Sequence, residues 1–381
     1  MSDTRTRPPA PPSDALIEAR SRSARLEERL ERDPGSHRIL TGDRPTGPPH
    51  LGHYFGTLEN RVRLQDLGVE LMVLVADYQT IIDRDSPATL PSDVEVLVAD
   101  YLAVGIDPER ATIFAHSQVE ALNQLLLPFL SLVSVAELSR NPTVKDEMAA
   151  SGLASMSGLM FTYPVHQAAD ILFCKATAVP VGKDQLPHLE LTRSIARRFN
   201  RRYSPASAVF PEPDALLSAA PALLGIDGQK MIKSRGNAIA ISASADETAR
   251  LIARAKTDPE RRITYDPVRR PEVSNLILLA ALCLDRPPRA IAEEVGDAGS
   301  AVLKRLVTDA VNERFREMRA RRAALLADPG YLRDVLHAGN QRAQQIAAQT
   351  LAEVGQLMHT NYSRQRRTRD ARSPRSASRH R

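Results

Sequence analysis

The sequence predicts an α/β fold: a parallel sheet with helices on both faces, followed by an all-helical region. Three observations carry this. Short apolar runs suited to strands recur in the first part of the chain, separated by helical patterns. In the strand candidate 70–76, every residue from Leu71 on is apolar rather than alternating, as in a strand buried on both faces. Beyond about residue 245 the strand signals stop and only helical patterns remain.

Residues 1–13 read as a flexible Pro/Arg arm, with Pro8, Pro9, Pro11 and Pro12 favouring extended backbone. Residues 14–32 are helical in character and heavily charged, predicting a surface helix ended by Asp33-Pro34-Gly35, so arm and helix form a first segment, 1–35. The next segment, 36–245, carries the sheet. Its strand candidates are 37–40, 70–76, 111–115 and 178–181. Crossovers between parallel strands are right-handed, and ligands bind beyond the strands' carboxyl ends. Helices at 246–256, 272–284, 287–295, 299–325 and 330–359 predict a separate all-α domain, 246–360. Residues 361–381 are of low complexity and expected to be disordered, and no internal repeat is visible.

Composition narrows the function. With 381 residues, 43% hydrophobic and 25% charged, the chain can bury a sizeable core, and its length suggests two domains plus tails. Two cysteines, Cys174 and Cys283, exclude a disulfide scaffold and a Cys-rich zinc site. No apolar run of about 18 residues marks a membrane span. The first residues lack the apolar stretch of a secretory signal, so a cytoplasmic protein is expected. The net charge of +5 is uneven: setting aside +7 in residues 361–381 and +1 in 1–13 leaves −3 for the body. On charge alone the body is no nucleic-acid binder. Only seven of 51 basic residues are lysine, yet two fall three apart at Lys230 and Lys233, where a flexible point charge suits better than a planar guanidinium.

Three motifs carry chemistry. In the first, Thr41-Gly-Asp-Arg-Pro-Thr-Gly-Pro-Pro-His50-Leu-Gly52-His53-Tyr54, a strand ends in a Gly/Pro loop and a helix opens. Helix N-termini offer free N–H groups to phosphate, Gly52 admits a ligand close to the backbone, and His50 and His53, on one helix face, can donate to one anion. A zinc pair is disfavoured, since no third ligand stands at a sensible spacing. In the second, Gly225 to Asn237, glycines flank Lys230 and Lys233 in what reads as a mobile loop able to reach a polyphosphate; the Walker order is absent. In the third, Asp170 sits in an apolar helix, where a carboxylate must be paired or serve a ligand. A single buried carboxylate suits an indole, which offers one N–H on an apolar body; a capping or salt-bridged Asp is the alternative.

His-Leu-Gly-His after the first strand, with Lys-Met-Ile-Lys-Ser far downstream, resembles a class I aminoacyl-tRNA synthetase. Phe161-Thr-Tyr-Pro-Val-His-Gln-Ala-Ala-Asp170-Ile-Leu, followed by Val179-Pro-Val-Gly182-Lys-Asp184-Gln185-Leu-Pro-His188-Leu-Glu190-Leu-Thr-Arg193, is similar to tryptophanyl-tRNA synthetases, in particular their divergent, auxiliary-type bacterial branch. The resemblance spans residues 39–353. It implies a Rossmann-like nucleotide-binding catalytic domain with a connective helical insertion at about 86–158 and a Lys loop at 228–237, and an anticodon-reading helical domain. It implies that L-tryptophan and ATP, the latter carrying Mg²⁺, form tryptophanyl-adenylate, that tRNA(Trp) then accepts the amino acid, and that the protein is a homodimer without a protein-bound metal.

The residues carried over are His50, His53, Lys230 and Lys233 for catalysis. ATP contacts are Arg44, Pro45, Thr46, Gly52, Gly182, Lys183, Asp184, Leu223, Met231, Ile232 and Ser234, together with His53 and both lysines; Ile232 is expected to point away from the phosphates. Tryptophan contacts are Leu40, Gln79, Tyr163, Gln167, Asp170, Ile171, Val179, Val181 and Gln185. Leu40, Arg44, Gln79, His166 and Gln167 depart from the residues common in the family, and Glu147 stands where many relatives place a third phosphate-binding Lys, a role open to Lys145 or Arg140. The alternatives are a tyrosyl-type synthetase, which would want a Tyr/Asp pair near a phenol, a small-molecule adenylyltransferase, which needs no large helical domain, and an idle RNA-binding or regulatory paralogue, which would not need both phosphate motifs intact.

Overall fold

The computed structural model describes residues 14–81, 88–141, 156–182, 185–218 and 222–362. Among the described residues five strands build one sheet: β1 Arg38–Asp43, β2 Glu70–Val75, β3 Ala111–Ala115, β4 Ala178–Val181 and β5 Asp214–Leu217. All neighbours are parallel, in the order β3-β2-β1-β4-β5. The order reverses direction at β1, which places the crevice for a ligand at its carboxyl end. Successive residues feed opposite layers: Leu71, Val73 and Val75 enter one apolar cluster, Met72 and Leu74 the other. That is why β2 reads as a continuous apolar run.

β5 carries no sequence signal. It is four residues long, and of these only Leu216 is fully buried. Its partner explains the first helix. α1, Asp14–Arg32, spans the expected residues but is not merely a surface helix. Leu26 and Leu30 are 0% exposed, the Ser23 hydroxyl accepts the Leu217 N–H at 2.9 Å, and Arg29 reaches Asp214 at 2.6 Å. Its many charges mask a narrow apolar stripe that packs on the edge of the sheet.

Between β1 and β2 the helical stretch runs as α2 Leu51–His53, a π turn Tyr54–Leu58, and α3 Glu59–Leu67. α4 Asp77–Thr80 follows β2, and α5 Leu90–Val104 precedes β3. The expected helical insertion at about 86–158 therefore contains a strand of the main sheet. Only the part after β3 is wholly helical where described: α6 Glu120–Gln124, α7 Leu126–Leu130 and α8 Val135–Arg140. Lys145 and Glu147 lie outside the described residues. α9 Gly158–Leu172 and α10 Leu186–Tyr203 flank β4.

The remaining helices are α11 Ala245–Arg254, α12 Pro271–Leu284, α13 Pro288–Val295, α14 Ser300–Leu326 and α15 Pro329–Leu357, at the expected positions. They are not a detached body. One apolar cluster joins Val273 and Phe315 to Ile39 and Leu51, and the other joins Ala343 and Ala347 to Phe114. α15 lies against β3 so closely that a Cβ on Gly339 would collide with the Ile113 carbonyl. Asn340 Oδ1 accepts the Ala115 N–H at 2.9 Å, and Gln344 Oε1 that of Ala121 at 3.2 Å. Among the described residues no helix is long and apolar enough to cross a membrane.

Candidate active site

A cavity of about 330 Å³ opens at the carboxyl ends of β1, β2 and β4, against α9. All nine residues expected to contact the amino acid line it. Leu40 comes from β1, Gln79 from α4, and Val179 and Val181 from β4. Tyr163, Gln167, Asp170 and Ile171 come from α9, where the spacing of three, four and seven sets Tyr163, Gln167 and Asp170 on one helix face. Gln185 stands ahead of α10. Arg44 lines the same cavity, joining it to the Gly/Pro loop.

Asp170 is 1% exposed. Its Oδ2 accepts a hydrogen bond from His116 Nε2 at 2.9 Å, while Oδ1 has no hydrogen-bond partner among the described residues. His166 stands beside this pair, its ring 4.7 Å from that of His116, and its Nε2 meets Asn123 Oδ1 at 2.8 Å. Burial lowers the His166 pKa and keeps the ring neutral. His116, His166 and Asp170 bring metal-ligand atom types within 4.8 Å of one another. Between His116 and Asp170 the 2.9 Å contact is an ordinary hydrogen bond, and His166 is held by Asn123.

A third buried histidine organises the other wall. His188 Nδ1 donates to Gln167 Oε1 at 2.7 Å, so its Nε2 accepts the Tyr163 hydroxyl at 3.1 Å. Gln167 and Tyr163 are thereby fixed by a residue the sequence reading left without a role.

The phosphate-type motif adjoins the cavity through Asp43. This carboxylate receives His53 Nε2 at 2.8 Å, Arg61 Nη1 at 2.6 Å and the Tyr101 hydroxyl at 2.7 Å. Burial alone would raise its pKa, but Arg61 and His53 outweigh burial and hold the carboxyl well below its usual range. Asp43 is therefore an ionised acceptor, His53 donates through Nε2, and Nδ1 is the nitrogen left to meet a ligand. The π turn makes this arrangement possible. In a regular α-helix, residues eight apart are about 80° out of phase. One extra residue absorbed at 54–58 cuts the offset to roughly 20°, so His53 and Arg61 converge on Asp43.

His50 differs from its expected place. It is the cap before the helix rather than a residue on its face, and its Nδ1 accepts the His53 N–H at 3.1 Å. The two rings stand 6.1 Å apart. Burial, followed by the positive charges of His53 and Lys233, pushes its pKa from 6.5 to about 4. At neutral pH His50 is thus a neutral imidazole carrying its proton on Nε2. A Cβ on Gly52 would come 3.3 Å from the His50 ring, so Gly52 makes room for that ring.

The Lys-bearing stretch packs onto the same motif. His50 bridges to Ala240, Leu51 N–H donates to the Ile239 carbonyl at 2.9 Å, and Ile241 N–H to that of Pro49 at 3.0 Å. The stretch is pinned rather than free. Asn237, buried, accepts the Ile232 N–H at 2.8 Å and donates to Asp227 at 2.8 Å and to the Lys230 carbonyl at 3.0 Å. Lys230 is exposed; Lys233 Nζ donates to the Gly47 carbonyl at 2.6 Å, and Ser234 lies in the turn Lys233–Arg235. Met231 and Leu223 are buried and joined by a backbone hydrogen bond of 3.2 Å, and Ile232 is half-buried. Pro45 is buried, Thr46 half-buried and Gly182 exposed after β4. Lys183 and Asp184 lie outside the described residues.

The roles of Asp43, Arg61, Tyr101, His116, His188 and Asn237 were missed from the sequence. Asp43 and His116 had a usable signal: each stands at or just past the carboxyl end of a parallel strand, where ligands bind. Arg61 and Tyr101 had none, since their convergence depends on the π turn and the packing of α5.

The sequence profile of tRNA synthetases class I (W and Y) matches residues 33–316. The tryptophan–tRNA ligase of Lactococcus lactis is 39% identical over 336 residues, 85% of this chain and 98% of that one. The ligase of the same name from Treponema pallidum is 41% identical over 330 residues, 84% and 96% of the two chains. Among solved structures, tryptophanyl-tRNA synthetase from Campylobacter jejuni, complexed with ADP and tryptophan, is similar with a TM-score of 0.75 and 29% identity, covering 84% of this chain and 99% of that one.

Proposed function

We infer the function from the family: the chain belongs to the tRNA synthetases class I (W and Y), and it activates L-tryptophan with ATP and transfers it to tRNA(Trp). The observation that carries this is the cavity, where Leu40, Ile171, Val179 and Val181 stand beside the buried carboxylate of Asp170, one of whose oxygens lacks a donor among the described residues. Tryptophan matches it with one ring N–H on an apolar body.

In the first step a carboxylate oxygen of tryptophan attacks the α-phosphorus of ATP. A new oxygen–phosphorus bond forms, and the bond to the β-phosphate oxygen breaks to release pyrophosphate. The nucleophile is already ionised, so catalysis consists of in-line positioning and stabilisation of developing charge. His50 donates to the α-phosphate through Nε2–H, and His53, held on Asp43 through its own Nε2, supports that end of the site. Lys230 and Lys233 take the charge of the departing pyrophosphate, and Mg²⁺ arrives with ATP as part of the substrate. In the second step the 2′-hydroxyl of the terminal adenosine attacks the acyl carbon and AMP leaves. Tyr163 and Gln185 hold the α-ammonium, while Val179, Val181, Leu40 and Ile171 enclose the ring. Arg44, Pro45, Thr46, Gly52, Leu223, Met231 and Ser234 border the nucleotide, with Gly182, Lys183 and Asp184 on its ribose and purine side. The helices from residue 246 onward read the anticodon, and the enzyme works as a cytoplasmic homodimer.

Tryptophan-dependent exchange of pyrophosphate into ATP tests this reading. Exchange with tryptophan and not with tyrosine is expected; exchange with tyrosine alone, or with neither, refutes it.

A further inference from the structure

We propose that His116 is a positioning residue for indole recognition: it holds the Asp170 carboxylate so that one oxygen stays reserved for the ring N–H of the amino acid. This rests on the reading of the cavity as a tryptophan site.

Asp170 stands on the cavity wall and His116 behind it, 0% exposed. An ionised carboxylate only accepts, so the 2.9 Å contact fixes the proton on His116 Nε2 and takes up Asp170 Oδ2. Oδ1 is left buried without a donor among the described residues, which is unfavourable until a ligand supplies one. Two oxygens of one carboxylate thus have separate duties, one structural and one for substrate.

His116 can do this because it is itself immobilised. The N–H of the preceding residue, Ala115, donates to Asn340 Oδ1 at 2.9 Å, and the His116 carbonyl accepts Asn123 Nδ2 at 2.8 Å. Its ring stacks on Tyr78 at 6.2 Å and 22° and leans on His166 at 4.7 Å. A carboxylate held by one fixed donor cannot rotate to satisfy its free oxygen elsewhere. Such an oxygen discriminates sharply against a ligand lacking the N–H, whereas apolar walls alone discriminate weakly.

The test compares tryptophan with β-(benzothien-3-yl)alanine, which has the same ring shape without the N–H, in pyrophosphate exchange by wild-type enzyme and by His116→Ala, His116→Phe and His116→Gln. The wild type should prefer tryptophan in kcat/KM. His116→Ala should lose roughly tenfold or more of that preference. The loss should fall on KM for tryptophan, with kcat and the analogue's kcat/KM little changed. Where alanine leaves a cavity that unfolds the chain, His116→Phe fills it and should show the same loss. His116→Gln, which can still donate from an amide, should recover part of the preference. An unchanged preference, or an equal loss for both substrates in variants that melt like the wild type, overturns the proposal. A wild type that exchanges neither substrate overturns the reading of the site beneath it.

Discussion

Lys233 Nζ donates to the carbonyl of Gly47 at 2.6 Å, so two loops separated by 186 positions close on each other beside the His50–His53 motif. On the proposed mechanism the ammonium exchanges this carbonyl for phosphate oxygens when the nucleotide arrives. Its strongest partner charge matures only as pyrophosphate departs. Replacing Lys233 or Lys230 with Ala should slow adenylate formation by roughly 100- to 1,000-fold, the range for losing one transition-state donor. Tryptophan affinity should be nearly unchanged. Rapid-quench measurement of adenylate, beside a direct tryptophan titration, checks both; weakened tryptophan binding with normal adenylation contradicts the assignment.

On the proposed mechanism His50 donates as a neutral imidazole. His50→Gln, which keeps a neutral N–H near the same position, should retain most of the exchange rate, and His50→Ala should lose it. Were the imidazolium the working species, Gln would fail like Ala. The pH dependence has a definite sign. The folded pKa, about 4, lies below the ordinary 6.5, so between those values the unfolded chain binds the proton more readily. The contribution of His50 to stability is full above pH 6.5 and declines as pH falls towards 4. Urea midpoints at several pH values should therefore fall less steeply over this window in His50→Gln than in the wild type.

Arg44 and Gln79 both line the cavity beside the amino-acid site. On the family resemblance, both depart from the residues expected beside the amino acid's head group. Tryptophan analogues altered at the carboxylate or ammonium, with the indole intact, should inhibit this enzyme weakly. An Arg44→Gln, Gln79→His double variant should bind them more tightly. The chain contains no tryptophan, so the analogue's own indole emission reports binding directly. Equal affinity in both proteins ends this idea.

Gly339 permits backbone contact between α15 and β3. Its Cβ in Gly339→Ala would strike the Ile113 carbonyl, which cannot move without disturbing the strand. A loss of about 1–3 kcal/mol is expected, typical of overpacking. A denaturant midpoint that does not move would show that the helix can shift away freely.

Much of this was legible from residue order. The apolar runs gave four of five strands because those strands are buried on both faces. The motifs gave the cavity's lining because six of the nine expected residues fall on one helix and one strand, Tyr163, Gln167, Asp170 and Ile171 on α9 and Val179 and Val181 on β4. The unreadable parts share a cause. β5 is too short to carry a pattern, and α1 hides its buried leucines among charges. The Asp43 cluster forms only because a π turn shifts helical phase, and the His116–Asp170 pair joins residues 54 apart through tertiary packing alone. Periodicity describes one element at a time, and none of these properties belongs to one element.

The seating of α15 on β3 also bears on how the protein is made. Ala115 leaves the ribosome 225 residues ahead of Asn340, the side chain that accepts its N–H. At about 10 residues per second, within the usual synthesis range, roughly 20 seconds separate the two. During that interval the nascent sheet has an uncovered β3 flank. A ribosome stalled after β5 would hold a sheet whose strand edge is open to wrong pairing, and the emergence of α15 is what closes it.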